Sequence, residues 1–178
     1  MHKFPWPIAP RPFADEAFGS WLGRVASRYR IGVDELVHAA DVDVELGEGD
    51  WLALPAPGER SAERLAALCR MEPEDLARML PSTRENGRRF PYCFGCLILN
   101  PQDVTAPYWK ADWLAAKAPG CTVHPQRGSW VTVETLRRQR NLRQLVQYIS
   151  CRQRTARHRT ALPISGFRGP ASVVRGPG

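Results

Sequence analysis

The chain has 178 residues, 43% of them hydrophobic and 24% charged, with a formal net charge of +7. That length and composition suit one ordinary domain or two small ones sharing a core, and exclude both a disordered polymer and a membrane span, since no run of 18 apolar residues occurs. Residues 1–81 hold 9 Lys and Arg against 14 Asp and Glu, whereas residues 82–178 hold 16 against 4. An acidic half suits a protein surface and a basic half suits phosphate.

Residues 1–14 carry Pro5, Pro7, Pro10 and Pro12. Each proline fixes its own φ and pushes the preceding residue out of the helical region, so an extended arm is expected. The start has no apolar h-region, so it is not read as a signal peptide, and the chain is expected to be cytoplasmic. In that reducing compartment five cysteines, an odd count, point to metal rather than disulfides.

Phe18, Trp21, Leu22, Val25, Ala26 and Tyr29 recur at helical period and predict a helix over 15–30. Asp15 and Glu16 are placed at its positive end and Arg28 and Arg30 at its negative end, with Gly32 as the stop. Asp34 is the expected cap of a short helix through about Ala40. Residues 41–60 read as an acidic and Pro/Gly-rich loop pinned by Trp51 and Leu52.

A second helix pair follows over 61–80, with Ser61 as N-cap, Leu65, Leu68, Leu76, Met79 and Leu80 inward, Pro73 at a first helical position and Pro81 as the stop. Ala26, Ile31 and Leu36 match Ala66, Met71 and Leu76 in spacing, so each pair has the look of a helix-turn-helix.

Cys93-Phe94-Gly95-Cys96 and Cys121-Thr122-Val123-His124 are two ligand pairs with the same two-residue gap. Such turns aim two donors at one ion, and two of them make a closed tetrahedral zinc site, Cys93, Cys96, Cys121 and His124, with no open position to activate water. Gly95 is expected there for an unusual φ. Asp112 and His158 are weaker candidates for the fourth ligand. Arg88, Arg89 and Arg127 are expected to offset the net charge of three thiolates around the ion. Cys69, on an apolar helix side, reads as a small core residue, and Cys151 as a plain thiol. The intervening loop is long enough for its own helix, over about Ala106 to Lys117, carrying Trp109 and Trp113.

Residues 134–155 read as one basic helix, and the stretch from about Arg157 as unstructured. Residues 135–178 contain ten Arg and no acid. Arg137, Arg138, Arg140, Arg143, Arg152 and Arg154 are therefore the candidate nucleic-acid contacts, tracking phosphate without reading sequence. Trp6, Arg11 and Arg24 are candidate partner contacts. No phosphate-cradling, dinucleotide-binding or nucleophile-elbow motif occurs, and a non-enzymatic binding module is expected.

The expected fold is mainly α with a small zinc ribbon. A helix-turn-helix-like helical region spans 1–82, a Cys3His ribbon with an inserted helix 83–132, a basic helix 133–156 and a tail 157–178.

Four motifs in order resemble the TniQ family of transposition helpers, which includes the TnsD-type target selectors. They are the Pro-rich start with Glu16 and Ser20-Trp21-Leu22-Gly23-Arg24; Tyr92-Cys93-Phe94-Gly95-Cys96-Leu97; Pro107-Tyr108-Trp109-Lys110-Ala111-Asp112-Trp113; and Cys121-Thr122-Val123-His124-Pro125. Phe94 and Thr122 stand where the family has proline, Lys110 where it has arginine, and Pro125 where it has glycine; all four ligands are kept. The likeness covers 5–131 and is to the compact members. It implies an adaptor that docks on an AAA+ transposition ATPase of the TnsC or TniB type at target DNA. In CRISPR-associated transposons the family links that ATPase to a guide RNA–effector complex. A homodimer is left open. The competing reading is a transcription regulator built from a helix-turn-helix and a zinc ribbon.

Overall fold

The computed structural model describes residues 5–44, 51–54, 57–77, 79, 89–99, 106–115, 121–124 and 128–161, with backbone alone for 156–161. Leu80, Pro81, Arg88, Arg127 and the His158 side chain, all given roles above, lie outside that set. The elements in chain order are α1 (Phe18–Tyr29), α2 (Val33–Ala40), α3 (Glu59–Cys69), α4 (Pro73–Ala77), β1 (Arg89–Tyr92), β2 (Ser129–Thr132), α5 (Val133–Arg138) and α6 (Leu142–Ala161). The fold is mainly helical, with the two strands forming one antiparallel ribbon.

α1 starts at Phe18, where the apolar stripe itself begins and three residues after the expected start, behind an Ala17 N-cap that makes no side-chain capping bond. Asp15 and Glu16 are therefore not first-turn acids; their carboxylates are used elsewhere, as described below. The helix stops at Arg30 rather than Gly32. Arg30 adopts the left-handed conformation at φ 59°, and Ile31 N–H donates to Ala26 O at 3.2 Å. Gly32 instead begins α2, where its N–H donates to Glu35 Oε2 at 3.0 Å. Asp34 lies inside the first turn and does not cap it.

α3 repeats the ending of α1. Arg70 is left-handed at φ 54°, and Met71 N–H donates to Ala66 O at 2.9 Å. This is the six-to-one bond of a Schellman ending, and it falls on the matched positions Ala26/Ile31 and Ala66/Met71. The paired spacing in the sequence thus reports a shared turn geometry. Ser61 is not the cap of α3; Gly58 is. Ser61 is buried inside the helix, and its hydroxyl accepts from Asp43 N–H at 3.2 Å, which ties down the segment after α2. Pro73 opens α4 as expected.

Trp51 and Leu52 do pin their loop, in a single 3-10 turn (Trp51–Ala53) against α1. Gly19 makes that contact possible, because a Cβ there would run into the Trp51 and Leu52 backbone carbonyls. Trp51 Nε1 donates to Gln139 O at 2.7 Å, so the same turn also holds the C-terminal helices.

The C-terminal region is two helices, not one. α5 is capped by Thr132, whose hydroxyl accepts from Thr135 N–H at 3.3 Å, and ends at Gln139. α6 begins at Leu142 and its backbone continues to Ala161, past the expected boundary near Arg157. Asn141 makes the break. It is buried; its Oδ1 accepts from Gln144 N–H at 3.1 Å as a helix cap, and its Nδ2 donates to Ile31 O at 2.9 Å. One hydrophobic cluster joins α1 to α4, the ribbon and α6, with Trp21, Trp109, Leu97 and Leu145 fully buried in it.

Candidate metal centre

β1 and β2 set the frame, pairing Arg89 with Thr132 and Tyr92 with Ser129 at the two ends. The chain leaves β1 directly into Cys93, and a π-type turn (Gly95–Leu99) brings Cys96 back beside it. The second ligand pair approaches from Cys121, whose Sγ accepts from the His124 backbone N–H at 3.3 Å. Cys93, Cys96, Cys121 and His124 place one donor atom each within 4.8 Å of one another. His124 Nδ1 lies 3.6 Å from Cys93 Sγ, 3.3 Å from Cys96 Sγ and 3.6 Å from Cys121 Sγ, and Cys96 and Cys121 Sγ are 3.5 Å apart.

Metal bonds of about 2.3 Å to sulfur and about 2.0 Å to nitrogen imply tetrahedron edges of roughly 3.5–3.8 Å. The observed separations lie close to those edges and far above a disulfide bond, and all the cysteines are free. The donor chemistry, three thiols and one imidazole, is that of a closed structural zinc site. The thiols also need a cation. Burial pushes Cys96 up to about 12, reinforced by the Cys121 and Cys93 thiols. Cys121 also pays for burial, but the His124 N–H and imidazole pull it down to about 6. Crowded sulfurs do not all ionise together without a positive centre.

Among the described residues, His124 is the fourth member of the group. Asp112 is exposed and outside the group. Gly95 has a different reason from the one its turn suggests: a Cβ there would lie 2.6 Å from His124 Cδ2. The glycine lets the imidazole lie flat on the first ligand turn. Cys69 is buried in the core, and burial pushes its thiol up to about 12, whereas Cys151 is exposed.

Over the described residues 106–115 the expected helix is absent. Only Ala111–Leu114 form a 3-10 turn, and Trp109 lies in an extended segment paired with the residues just before α1. Ala17 N–H donates to Trp109 O and Ala111 N–H donates to Asp15 O, both at 2.8 Å. Trp109 N–H donates to Ser20 Oγ at 2.8 Å, and Trp109 meets Trp113 edge to face with centroids 5.7 Å apart. Pro107 and the demands of strand-like pairing outweigh the one-turn spacing of the two indoles.

That pairing explains the N-terminal motif. Glu16 is fully buried, and its Oε1 accepts from Ser20 Oγ and Arg24 Nε, both at 2.9 Å. Its Oε2 accepts from Arg24 Nη2 at 2.7 Å and from Phe13 N–H at 3.2 Å. Arg24 also donates to Arg11 O at 2.7 Å and lies 4.4 Å over the Phe13 ring. Arg24, a candidate partner contact by sequence, is thus a buried internal group, because its charge is consumed by Glu16. Trp6 is half-buried against Tyr29, with its N–H donating to Leu68 O at 2.8 Å; it pins the arm. Arg11 alone of the three presents an exposed side chain.

Lys110 and Asp15 were missed by sequence reasoning. Lys110 Nζ donates to Asp15 Oδ2 at 2.6 Å, and Tyr108 Oη donates to Asp15 Oδ1 at 2.7 Å. The Asp15 bond holds the Lys110 ammonium above its usual range, and the Cys96 and Cys121 sulfurs add to that pull. Lys110 is thus a cation beside the sulfur cluster, the role assigned in advance to Arg88, Arg89 and Arg127. The motif carrying it marked its place, but nothing in the spacing named its partner. Arg89 instead stacks on Trp130, 4.3 Å from the ring centroid.

Of the candidate nucleic-acid contacts, Arg137, Arg138, Arg143, Arg152 and Arg154 are exposed on α5 and α6. Arg140 lies in the break between those helices and is committed to α2, at 3.0 Å from Asp34 Oδ2 and 2.8 Å from Glu35 Oε1. No helix among the described residues is long and apolar enough to cross a membrane.

A comparison with curated proteins finds no match, and a comparison with solved structures finds none. A family model described as TniQ matches residues 7–127. That span takes in most of the arm, the Glu16–Arg24 pair, the Trp109 segment and all four residues of the Cys3His cluster. With well over half of its length under that model, the chain belongs to the TniQ family, whose members serve in transposition.

Proposed function

We propose that this chain is a non-enzymatic adaptor of DNA transposition, built around one structural zinc ion. It joins an AAA+ ATPase of the TnsC or TniB kind to nucleic acid at the target. The observation that carries the reading is the Cys3His cluster lying inside the TniQ match, with four donors at tetrahedral spacing. Zinc supplies order here, not a reagent. Cys93, Cys96, Cys121 and His124 would hold it, and Lys110 would balance the thiolate charge.

The ATPase contact is assigned to the N-terminal arm around Arg11. The nucleic-acid contact is assigned to Arg137, Arg138, Arg143, Arg152 and Arg154, as phosphate neighbours on α5 and α6. An RNA-guided effector complex is one form the target-recognising partner can take in this family. The regulator reading loses support from both candidate reader helices. α2 opens with Asp34 and Glu35, already paired with Arg140, and α4 opens with Glu74 and Asp75. Base-edge readers present Arg, Asn or Gln at such positions.

Two measurements test this. Elemental analysis of the purified protein should find one zinc per chain, and Cys93→Ser should lose the zinc and the order of the ribbon. Co-purification with the ATPase of the same transposon, with and without nucleotide, should retain the native chain and not Cys93→Ser. Promoter-specific DNA binding by a chain that never retains the ATPase would replace the adaptor with the regulator. A zinc-free native protein with an ordered ribbon would remove the metal.

A further inference from the structure

Trp130 is the one tryptophan among the described residues with a largely exposed side chain, at 44%. It stands on β2 opposite Pro91, on the outward face of the ribbon, while its neighbour Val131 turns into the core. Arg89, diagonal to it on β1, lays its guanidinium on the ring. That stack covers one face of the indole only. Trp130 is also among the residues that line an open groove of about 290 Å³ between β2 and α6. Trp130, Tyr92 and Ser129 line its ribbon side, and Arg152 and Gln153 line its helix side. No carboxylate is among its lining residues that the structure describes.

Each part has a chemical use. An indole face stacks on any nucleobase, at roughly 1–3 kcal/mol per base. A guanidinium already stacked on that indole holds positive charge beside the stacked base, where a strand's phosphates run. Arg152 faces the same groove from the other wall. Ser129 and Gln153 add a hydroxyl and an amide, which donate and accept equally and so suit base edges without choosing one. A duplex hides its base faces, so an aromatic platform of this kind has no use for one.

We infer that the groove between Trp130 and Arg152 seats one unpaired nucleotide of a single-stranded nucleic acid, its base on the Trp130 ring and its phosphate between Arg89 and Arg152. This rests on the nucleic-acid contact proposed above and gives it a defined pocket, apart from the phosphate-tracking arginines of α5.

The test uses the full zinc-loaded chain and three fluorescein-labelled probes: a 12-mer oligo-dT, a 12-mer oligo-rU and a 12-base-pair DNA duplex. Anisotropy should show that Trp130→Ala weakens single-strand binding about tenfold, the loss of one stacked base, and leaves duplex binding within twofold. Trp130→Phe should restore most of the loss. Gly128→Glu is a second probe of the same groove. A Cβ there meets nothing within 4 Å, so the substitution adds a carboxylate to the groove mouth without a packing conflict. It should weaken single strands more than duplex. A preference between oligo-dT and oligo-rU identifies DNA or RNA as the source of the strand. If Trp130→Ala and Gly128→Glu both bind single strands as the native chain does, the pocket is overturned and the parent reading stands. If the native chain binds none of the three probes, both fall.

Discussion

Glu16 accepts four hydrogen bonds with no exposure to water, and two of its donors belong to one arginine. Burial pushes its carboxyl up, and the Arg24 guanidinium pulls against that. Pairs of this kind add little net stability as pairs, yet breaking one is costly because the surviving charge is left in a dry site. Glu16→Gln should therefore lower the unfolding free energy by about 3–5 kcal/mol, read from urea denaturation of the zinc-loaded protein. The double substitution Glu16→Met with Arg24→Met should recover much of that. A Glu16→Gln protein within ~1 kcal/mol of native, the scale of an exposed ion pair, would show that the pair is not the anchor described here. Glu16, Ser20 and Arg24 were visible in the sequence as a motif, but their joint purpose was not. A carboxylate eight residues before an arginine reads as a helix-dipole charge until the tertiary partner, the Trp109 amide on Ser20, is in view.

The helix ends show the same division between local and long-range information. The apolar stripe of α1 was legible because Phe18, Trp21, Leu22 and Val25 repeat at the helical period. Its stop was misplaced because a left-handed Arg30 is less common than a left-handed glycine, and Gly32 drew the assignment. The break between α5 and α6 carried no periodic signal, since Leu136, Leu142, Leu145 and Ile149 stay inward on both sides of it. Only the contacts of Asn141 reveal the break. Asn141→Ala should cost about 1–2 kcal/mol for the lost cap and about 1–3 kcal/mol more for the unpaired Ile31 carbonyl. Thermal unfolding followed by circular dichroism measures the loss, and Asn141→Asp, which keeps the cap acceptor but not the amide donor, should recover the first part alone. A neutral Asn141→Ala would mean that α6 docks on α1 through its apolar face only. The Cys3His cluster was the most legible feature of all, because two turns of fixed spacing encode their own geometry. The Ala106–Lys117 segment was the least legible, since its backbone partners are Asp15 and Ala17, far away in sequence.

Across the whole molecule the ribbon and the helices share one interior. Cys93 and Leu97 belong to the same cluster as Trp21, Leu65 and Ile149. Metal binding that orders the ribbon is then linked to the stability of the helical part, because both face the same buried side chains. Removing zinc with a chelator should lower the melting temperature seen by far-ultraviolet circular dichroism and by tryptophan fluorescence together, in one transition. A helical transition that stays in place while the tryptophan signal melts early would show two independent units instead.

The extended pairing of Asp15 and Ala17 with Trp109 and Ala111 also fixes how this protein can be shortened. A version cut to begin at Phe18 would keep every thiolate and the imidazole. It would lose the Ala17 amide that caps the Trp109 carbonyl, the Asp15 carbonyl that receives Ala111, and the Glu16 counter-charge to Arg24. On the zinc reading proposed above, the smallest fragment able to grip the ion would start well upstream of Cys93, with the arm as a working part of it.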